Sequence, residues 1–319
     1  MKLSFDVDRI RREMKPIDFR SEPEPSLAEQ KYFRFYHLDL ESQIADVGHR
    51  FGKFSAAGYD IATHHYYPTK TESRGVVFVL HGYHDHVGLY HHIIRYCVER
   101  QYSVITYDLP GHGLSSGETG VIHEFEHYVD VLDRCITKVS KYLNEPRHVI
   151  AQSTGGAIVM DYVINRRFTK ETCPFDKMIL LAPLIRPRDW WRGKILYHML
   201  KYFVKKINRV FTENSHDFDF LDFLRHKDPL QCRSLPLSWV GAMDRWIQLF
   251  EFSPGSSLSP VIIQGQQDGT VEWRHNIPMI LEKFDRPQVH YLPRGRHHLA
   301  NEEIAIRKRL LKLFDQYLN

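Results

Sequence analysis

The stretch HVIAQSTGGAIVM, residues 148–160, places one serine where a β-branched run stops and a segment of helix-forming character begins. A strand, a sharp turn and a helix with a serine at the apex are typical of a nucleophile elbow. The crowded turn needs small residues two positions before and two after the serine, and here these are Ala151 and Gly155. The usual pattern has glycine at the first position, so Ala151 is a departure, although Gly156 adds further room. We therefore identify Ser153 as the candidate nucleophile, at a helix N-terminus that favours developing negative charge.

Candidates for the acid and the base of a serine nucleophile follow Ser153 along the chain. Asp268 stands just beyond the run VIIQG, and His297 stands in the loop after the run VHYLP. The imidazole would take the hydroxyl proton during attack, and the carboxylate would fix its tautomer and stabilise the imidazolium. Two rivals stay open, Asp189 as the acid and His298 as the base. We prefer Asp268 because it lies immediately beyond a predicted strand, and His297 because the chain after His298 already turns into the last helix.

The oxyanion formed during attack needs two backbone N–H donors. The first is the residue after the nucleophile, Thr154. The second is expected after the run GVVFVL, where the chain reads His81-Gly82-Tyr83. Gly82 allows a bend that turns the N–H of Tyr83 towards the serine. Loss of one such donor costs about 2.7–4 kcal/mol of barrier stabilisation.

Six short, nearly continuous apolar runs bounded by turn residues indicate parallel strands that are buried on both faces. Segments with helical spacing, such as 122–143 and 155–165, lie between them, and strands alternating with helices predict an α/β fold with a mostly parallel central sheet. Two further strands are expected around Ala56-Ala57-Gly58. The six runs are residues 75–82, 102–113, 147–156, 176–183, 259–268 and 287–295.

Residues 184–250 interrupt this rhythm and are too long for an ordinary crossover. We interpret them as a helical cap, or lid, inserted after strand 6, over the carboxyl edge of the sheet where ligands bind in open α/β folds. The α/β core would then comprise residues 49–183 and 251–319. Residues 1–48 would form an N-terminal extension, and its polar, proline-containing first 30 residues predict an irregular lead-in.

Candidate substrate-binding residues come from the cap and from the loop after the first apolar run. The cap supplies tryptophans and the loop supplies small or polar residues. The candidates are Trp190, Trp191, Trp246, His81, Gly82 and His84.

Residues 186–209 carry eight arginines and lysines against one acidic residue, and apolar side chains recur there at helical spacing. A basic amphipathic helix that begins with tryptophans suits an interface with anionic lipid headgroups. The alternative is a cap helix packed on the body with its lysines in solvent. Both interpretations stay open.

Five sequence blocks in order resemble the α/β-hydrolase superfamily: HGY, YDLPGHGLSSG, AQSTGG, QGQQD and GRHHL. The most similar branch contains monoacylglycerol lipases and bacterial lysophospholipases, grouped as serine-aminopeptidase-type hydrolases, and the resemblance covers about residues 50–319. It implies Ser153 as nucleophile, Asp268 as acid, His297 as base, and Tyr83 and Thr154 as oxyanion donors. It also implies hydrolysis of a lipid-like monoacyl ester, a monoacylglycerol or a lysophospholipid, through an acyl-enzyme.

Other functions compete with this one. A small-ester esterase, or an amidase or aminopeptidase, could use the same machinery, with the acidic stretch 216–223 holding a free amine. The histidine-rich stretch 81–92 comes near a binuclear metal motif but misses its register, and further ligands have no obvious candidates. A non-catalytic binding protein of the same fold is disfavoured because all three catalytic positions are filled. We therefore expect no metal and no cofactor.

Composition sets further bounds on partners and compartment. A formal net charge of +4 over 319 residues is too weak to indicate a nucleic-acid partner. Four scattered cysteines without CxxC spacing favour reduced thiols. The N-terminus lacks the apolar region of a signal peptide, and no window reaches the ~20 apolar residues of a membrane span. These features predict a cytoplasmic protein, with peripheral contact at the inner membrane surface through the basic cap segment as an open alternative.

Overall fold

The computed structural model describes residues 5–21, 23–143 and 146–318. Within them ten strands occur, eight in a central sheet and two in a separate antiparallel ribbon. The strands are β1 (Val47–Ala56), β2 (Tyr59–Pro68), β3 (Val76–Leu80), β4 (Ser103–Tyr107), β5 (Arg147–Gln152), β6 (Lys177–Leu181), β7 (Lys206–Asn208), β8 (Ser234–Pro236), β9 (Val261–Gly265) and β10 (Gln288–Leu292).

The central sheet has the strand order β1-β2-β4-β3-β5-β6-β9-β10, and its last six strands run parallel. The six apolar runs of the sequence all became strands of this sheet, so the predicted α/β architecture is confirmed. The predicted hairpin is also present, because β1 and β2 pair antiparallel around Ala57 and Gly58, with φ values of 49° and 82°. Such left-handed values at both central residues belong to a tight hairpin turn.

Ten helices accompany this sheet in the described part of the chain. They are α1 (Val7–Glu13), α2 (Leu27–Phe35), α3 (His91–Glu99), α4 (Glu126–Val139), α5 (Thr154–Asn165), α6 (Trp190–Leu200), α7 (Phe218–Asp222), α8 (Leu237–Glu251), α9 (Trp273–Lys283) and α10 (Ile304–Leu318).

The two faces of the sheet are covered by different helices. Within β3, Val76 and Phe78 enter one apolar core with α4, α5, α8 and α9, whereas Val77 and Val79 enter a second core with α1, α2, α3 and α10. Alternation along a strand buried on both sides produces this separation. A sheet fixed from both faces is a rigid base for side chains at its carboxyl edge.

The expectation of an irregular lead-in over the first 30 residues is wrong. Residues 7–13 form α1, whose first turn is capped by the Asp6 carboxylate, and α2 begins with a reciprocal capping box between Ser26 and Glu29. Ile10 and Met14 are buried in the second core. Helix caps and a few anchoring apolar residues therefore order a segment whose average composition is polar.

Residues 184–250 lie between β6 and β9 and are called the insertion below. They contain α6, β7, α7, β8 and α8, so the expected helical content is present together with a short ribbon. α8 buries Trp239, Met243 and Trp246 against the first core, whereas α6 buries no residue. Among the described residues, no helix combines the length and apolar character needed to cross a membrane.

Candidate active site

Ser153 occupies the turn between β5 and α5 with φ 53° and ψ −114°. A residue with a side chain rarely adopts such a conformation, which stores strain and occurs mainly at functional sites. The backbone around it holds this turn, because the Ser153 N–H donates to Leu181 O at 2.9 Å and its carbonyl accepts from Leu184 N at 3.1 Å. The sharp strand–turn–helix geometry predicted from the sequence is therefore present.

Crowding by neighbouring atoms explains why the residues that follow Thr154 are small. A Cβ atom on Gly155 would lie 2.8 Å from the carbonyl oxygen of Leu80 and 2.9 Å from that of His81. On Gly156 it would lie 3.1 Å from the Cβ of Pro183. At the position two before the serine, Ala151 is fully buried in β5, where a methyl group is accommodated.

The Ser153, His297 and Asp268 side chains form one hydrogen-bonded chain. Ser153 Oγ lies 3.0 Å from His297 Nε2, and His297 Nδ1 lies 2.8 Å from Asp268 Oδ2. Each residue follows the carboxyl end of a parallel strand, β5, β9 or β10, which is why residues far apart in the sequence meet. All three are buried, so their mutual interactions are little screened by solvent.

Asp268 is held as an anion that orients the imidazole. Its Oδ1 accepts the N–H groups of Thr270 at 2.8 Å and Val271 at 3.1 Å, and its Oδ2 also accepts from Gln264 Nε2 at 3.0 Å. Burial by itself would raise the pKa of Asp268, but the facing His297 and these hydrogen bonds lower it below its ordinary value. Burial would likewise lower the pKa of His297, but the Asp268 carboxylate reverses this and raises it above 6.5.

The two rival residues have other surroundings. Asp189 is the N-cap residue of α6, its side chain is 57% exposed, and its ion-pair partner is Arg188 at 3.9 Å. His298 is paired with a different carboxylate, and its Nε2 lies 3.3 Å from Asp85 Oδ2. The geometry therefore favours Asp268 and His297 over these alternatives.

The loop after β3 passes close to the serine. A Cβ atom on Gly82 would lie only 3.1 Å from the Ser153 Cβ, so glycine allows this close approach without a shift of the serine. Next in the chain, Tyr83 stacks on Trp239 with ring centroids 3.9 Å apart. The other predicted donor, Thr154, is the first residue of α5, and N–H groups of a first helical turn have no acceptor within the helix.

A buried network that sequence reasoning missed supports this loop. The Gly82 N–H donates to the Tyr90 hydroxyl at 3.2 Å, and that hydroxyl donates to Asp85 Oδ2 at 2.9 Å. Because Asp85 also faces His298, it links the loop after β3 to the loop that carries His297. Burial would raise the pKa of Asp85, but the facing His298 and the hydrogen bonds lower it, so the carboxylate is charged.

A cavity of about 490 Å³ opens above Ser153, a volume typical of small-molecule sites. Its lining includes two groups of side chains that differ in character. The apolar wall consists of Leu184, Trp190, Leu196, Tyr197 and Val240, and the polar cluster consists of His84, Asp85, Arg209, Asn214 and His298. The insertion supplies the whole apolar wall and part of the polar cluster.

Of the six candidate substrate-binding residues, only His84 and Trp190 line this cavity. His81 is buried as a brace, because its Nδ1 donates to the Gly82 carbonyl at 2.7 Å and its Nε2 accepts from Leu109 N at 2.9 Å. Gly82 does not line the cavity, but its backbone passes close to Ser153. Trp191 is 61% exposed on the outer side of α6, and Trp246 is buried with its Nε1–H donating to Asp161 at 2.8 Å.

The histidine-rich stretch 81–92 contributes a buried ion pair. His86 pairs with Asp228 of the insertion at 3.0 Å, and both side chains are fully buried. Asp228 also accepts from the Tyr36 hydroxyl at 2.6 Å and from Gln231 Nε2 at 3.0 Å. Across the described ranges, no group of three or more His, Cys, Asp or Glu side chains is arranged to hold a metal ion.

Each member of this buried pair favours the charged form of the other. Burial would lower the pKa of His86, but the adjacent Asp228 raises it, and burial would raise the pKa of Asp228, but His86 and its hydrogen-bond donors lower it. We call Tyr36, His86 and Asp228 the buried anchor. It joins the N-terminal segment, the loop after β3 and the insertion.

The sheet order, the strained serine and its hydrogen-bonded histidine and aspartate define an α/β-hydrolase. A family model described as serine aminopeptidase, S33, matches residues 71–304, and the chain belongs to this family.

Known proteins are similar to this chain at low identity. The mouse (Mus musculus) monoglyceride lipase is 24% identical over 251 residues, which cover 75% of this chain and 80% of the relative. A probable lysophospholipase L2 of Haemophilus influenzae is 20% identical over 243 residues, or 68% of this chain and 75% of the relative. A solved structure of a soluble variant of the Saccharomyces cerevisiae monoglyceride lipase in complex with a substrate analog is 17% identical, with a TM-score of 0.71. It covers 84% of this chain and 94% of that one. These likenesses support a lipid-ester hydrolase of the serine-hydrolase class.

Proposed function

We propose that this protein is a serine carboxylic-ester hydrolase that acts through an acyl-enzyme on lipid-like monoacyl esters. One observation carries the proposal: Ser153 Oγ, His297 and Asp268 form a continuous hydrogen-bonded chain of 3.0 Å and 2.8 Å beneath a largely apolar cavity. The same arrangement on unrelated folds performs acyl transfer.

In the proposed reaction, Ser153 Oγ attacks the ester carbonyl while His297 Nε2 takes the hydroxyl proton. Asp268 keeps the proton of the neutral imidazole on Nδ1 and stabilises the imidazolium. The N–H groups of Tyr83 and Thr154 stabilise the oxyanion. His297 then protonates the departing alcohol, and water, deprotonated by the same imidazole, releases the carboxylic acid.

The choice of a lipid-like acyl group is supported by the apolar wall. Trp190, Leu196 and Tyr197 of α6 and Val240 of α8 offer aliphatic and aromatic surface beside the nucleophile. Burial of each methylene of an acyl chain contributes about 0.8 kcal/mol. The names of the mouse and Haemophilus relatives are consistent with monoacylglycerol or lysophospholipid substrates.

Labelling with a fluorophosphonate followed by peptide mapping tests the nucleophile. We expect the label on Ser153 and loss of p-nitrophenyl ester turnover in Ser153→Ala. Ser55→Ala, which removes an exposed hydroxyl on β1, is the matched control and should keep full turnover. Wild-type turnover in Ser153→Ala, or a label at another residue, would contradict the proposal.

The alternatives gain less support. The acidic stretch 216–223, expected to hold an amine in an exopeptidase, contributes no residue to the cavity lining, and Asp217 is used to cap α7. A non-catalytic binding protein has no need for a hydrogen-bonded chain at a strained serine. If proline-β-naphthylamide were cleaved faster than a monoacyl ester, the exopeptidase would replace the ester proposal.

We also propose that the insertion is a cap, with residues 49–183 and 251–319 as the core, and that its outer surface contacts anionic lipid. Trp191, Met199, Tyr202 and Phe203 are 61–84% exposed on or directly after α6, and Lys201 lies among them. Exposed aromatic and basic side chains together favour the interface of an anionic bilayer.

Co-sedimentation with vesicles tests this contact. Vesicles containing phosphatidylglycerol should bind the wild type more tightly than phosphatidylcholine vesicles, and the double variant Tyr202→Ser/Phe203→Ser should bind both more weakly because it loses buried apolar area. Phe252→Ser removes an aromatic ring that is 90% exposed beyond the end of α8 and serves as the control. Unchanged binding of the double variant would contradict the lipid contact.

A further inference from the structure

Arg209 directly follows β7 and is a cationic member of the polar cluster. Its guanidinium is held in one orientation from two directions. Nη1 donates to the Gln231 side-chain oxygen and to Cys232 O at 3.2 Å, and the Phe211 ring lies against the guanidinium at 4.5 Å from its centroid. An arginine fixed in this way is ordered before any ligand arrives.

The hydrogen-bond partners of Arg209 are all neutral. In the parts of the chain that the structure describes, no carboxylate lies within ion-pair distance of this guanidinium, and Nε and Nη2 donate no hydrogen bond. Of the two acidic residues in the cavity lining, Asp85 is engaged by His298 and Tyr90, and Asp189 lies beside Arg188. The N–H groups of Nε and Nη2 are therefore available to donate to a ligand.

The burial of Arg209 and its neighbour His84 also favour an anionic ligand. Burial lowers the pKa of its guanidinium, although an arginine stays protonated in proteins at all ordinary pH values. Nearby in the cluster, His84 Nδ1 is buried without a hydrogen-bond partner. The charge of Asp85 raises the pKa of Arg209 and offsets part of the cost of burial, and a ligand anion at the remaining N–H groups would offset more of it.

We propose that Arg209 binds an anionic phosphate group on the alcohol side of the ester, so that lysophospholipids are preferred over neutral monoacylglycerols. This inference rests on the proposed ester hydrolysis. The acyl chain lies along the apolar wall, the carbonyl lies at Ser153, and the headgroup phosphate meets the Nε–Nη2 edge of Arg209. Hydrolysis breaks only the acyl ester bond, and water supplies the oxygen of the released fatty acid. The glycerophosphodiester leaves with its phosphate unchanged.

The test compares two substrates with the same acyl chain, lauroyl-lysophosphatidylglycerol and monolauroylglycerol, in the same neutral detergent. For the wild type we expect a higher kcat/KM on the phosphate-bearing substrate. In Arg209→Gln the ratio of the two kcat/KM values should fall by roughly 10- to 100-fold, as for the loss of hydrogen bonds to a charged group. Arg209→Lys, which keeps the charge but not the planar fork, should recover part of the ratio.

The matched control is Arg233→Gln. Arg233 stacks on the same Phe211 ring at 5.3 Å but is exposed and outside the cavity lining, so its loss should leave the ratio unchanged. An equal fall on both substrates in Arg209→Gln would assign the residue a structural role and overturn the inference. If inorganic phosphate inhibits both reactions of the wild type but not of Arg209→Gln, and the wild type shows no preference for the phosphate-bearing substrate, the inference is also overturned, because the site would then take a free anion.

The two proposals fail in distinguishable ways. If neither ester is hydrolysed, or if Ser153→Ala is as active as the wild type, the proposed function itself is wrong. If monolauroylglycerol is hydrolysed in a Ser153-dependent reaction and Arg209→Gln does not change the substrate ratio, only the headgroup inference is wrong.

Discussion

Replacement of Asp268 by asparagine is the most demanding test of the proposed chemistry, because the structure dictates how the new amide must lie. The Oδ1 position faces two backbone donors, the N–H groups of Thr270 and Val271 at 2.8 and 3.1 Å. The amide oxygen of the new side chain is expected at that position, because backbone N–H groups cannot become acceptors. At the Oδ2 position the Gln264 amide can rotate by half a turn and His297 can change its tautomer, so an NH₂ group can be accommodated there. The amide NH₂ is then placed where Oδ2 now accepts from His297 Nδ1 at 2.8 Å.

An NH₂ group cannot accept the Nδ1–H of His297. The imidazole must therefore carry its proton on Nε2, the nitrogen 3.0 Å from Ser153 Oγ, where it can no longer accept the hydroxyl proton. For the equivalent change in a serine protease the loss of kcat is about 10⁴-fold, or about 5 kcal/mol of barrier. We expect a loss of this size in Asp268→Asn, with KM little changed because Asp268 does not line the cavity.

The assay is p-nitrophenyl ester hydrolysis as a function of pH, with thermal unfolding to verify that the variant is folded. Because the carboxylate raises the pKa of His297, the acid limb of any residual activity should move to lower pH in Asp268→Asn. Asp189→Asn, which changes the exposed rival acid, is the comparison and should retain its rate. If Asp268→Asn keeps its rate within roughly tenfold of the wild type, or Asp189→Asn loses it, the tautomer argument is refuted.

Three further outcomes follow from the buried groups. Since His297 must be neutral to act as base and its pKa is raised by its carboxylate partner against the effect of burial, kcat/KM of the wild type should fall as pH drops through a midpoint above 6.5, which a pH–rate profile measures. Tyr90→Phe removes the hydroxyl that accepts from Gly82 N–H at 3.2 Å, and should lower kcat by roughly tenfold with KM nearly unchanged; a rise in KM alone would contradict a role in positioning the loop. Asp228→Ala leaves the buried His86 without its counter-charge and should lower the free energy of unfolding by about 3–5 kcal/mol in urea titrations. Because the pKa of His86 is raised in the folded state, this deficit should shrink as pH rises through that pKa, and a deficit independent of pH would argue against a charged pair.

Much of the sheet could be predicted because its strands are local signals. Each apolar run is bounded by turn residues, and each contains a strand of five or six residues. The positions of Ser153, Asp268 and His297 followed for the same reason, because residues just beyond parallel strands gather at one edge of the sheet. The N-terminal helices also had a local signal, the capping box of Ser26 and Glu29, although the polar composition around it obscured it.

The buried pairs had no such signal. His86 and Asp228 are 142 positions apart in the chain, and Tyr36 and Asp228 are 192 apart. Neither pair follows a motif, and each meets only because the insertion folds back over the loop after β3. The same holds for Arg209, whose neighbours in the cavity come from the core and the insertion together. Trp191 and Trp246 were predicted to bind substrate but do not line the cavity. The sequence does not reveal which face of a helix in the insertion points inward.

The buried anchor has a consequence for how the insertion is attached to the core. Asp228 fastens the downstream part of the insertion to the N-terminal segment and the core through a fully buried charge pair. Upstream, α6 buries no residue, and its ion pair from Lys194 to Asp244 is partly exposed. The two parts of the insertion are therefore secured by different means, by a buried pair of opposite charges around Asp228 and by partly exposed contacts at α6. Through Tyr36, the chain that precedes the first strand takes part in securing the stretch around Asp228.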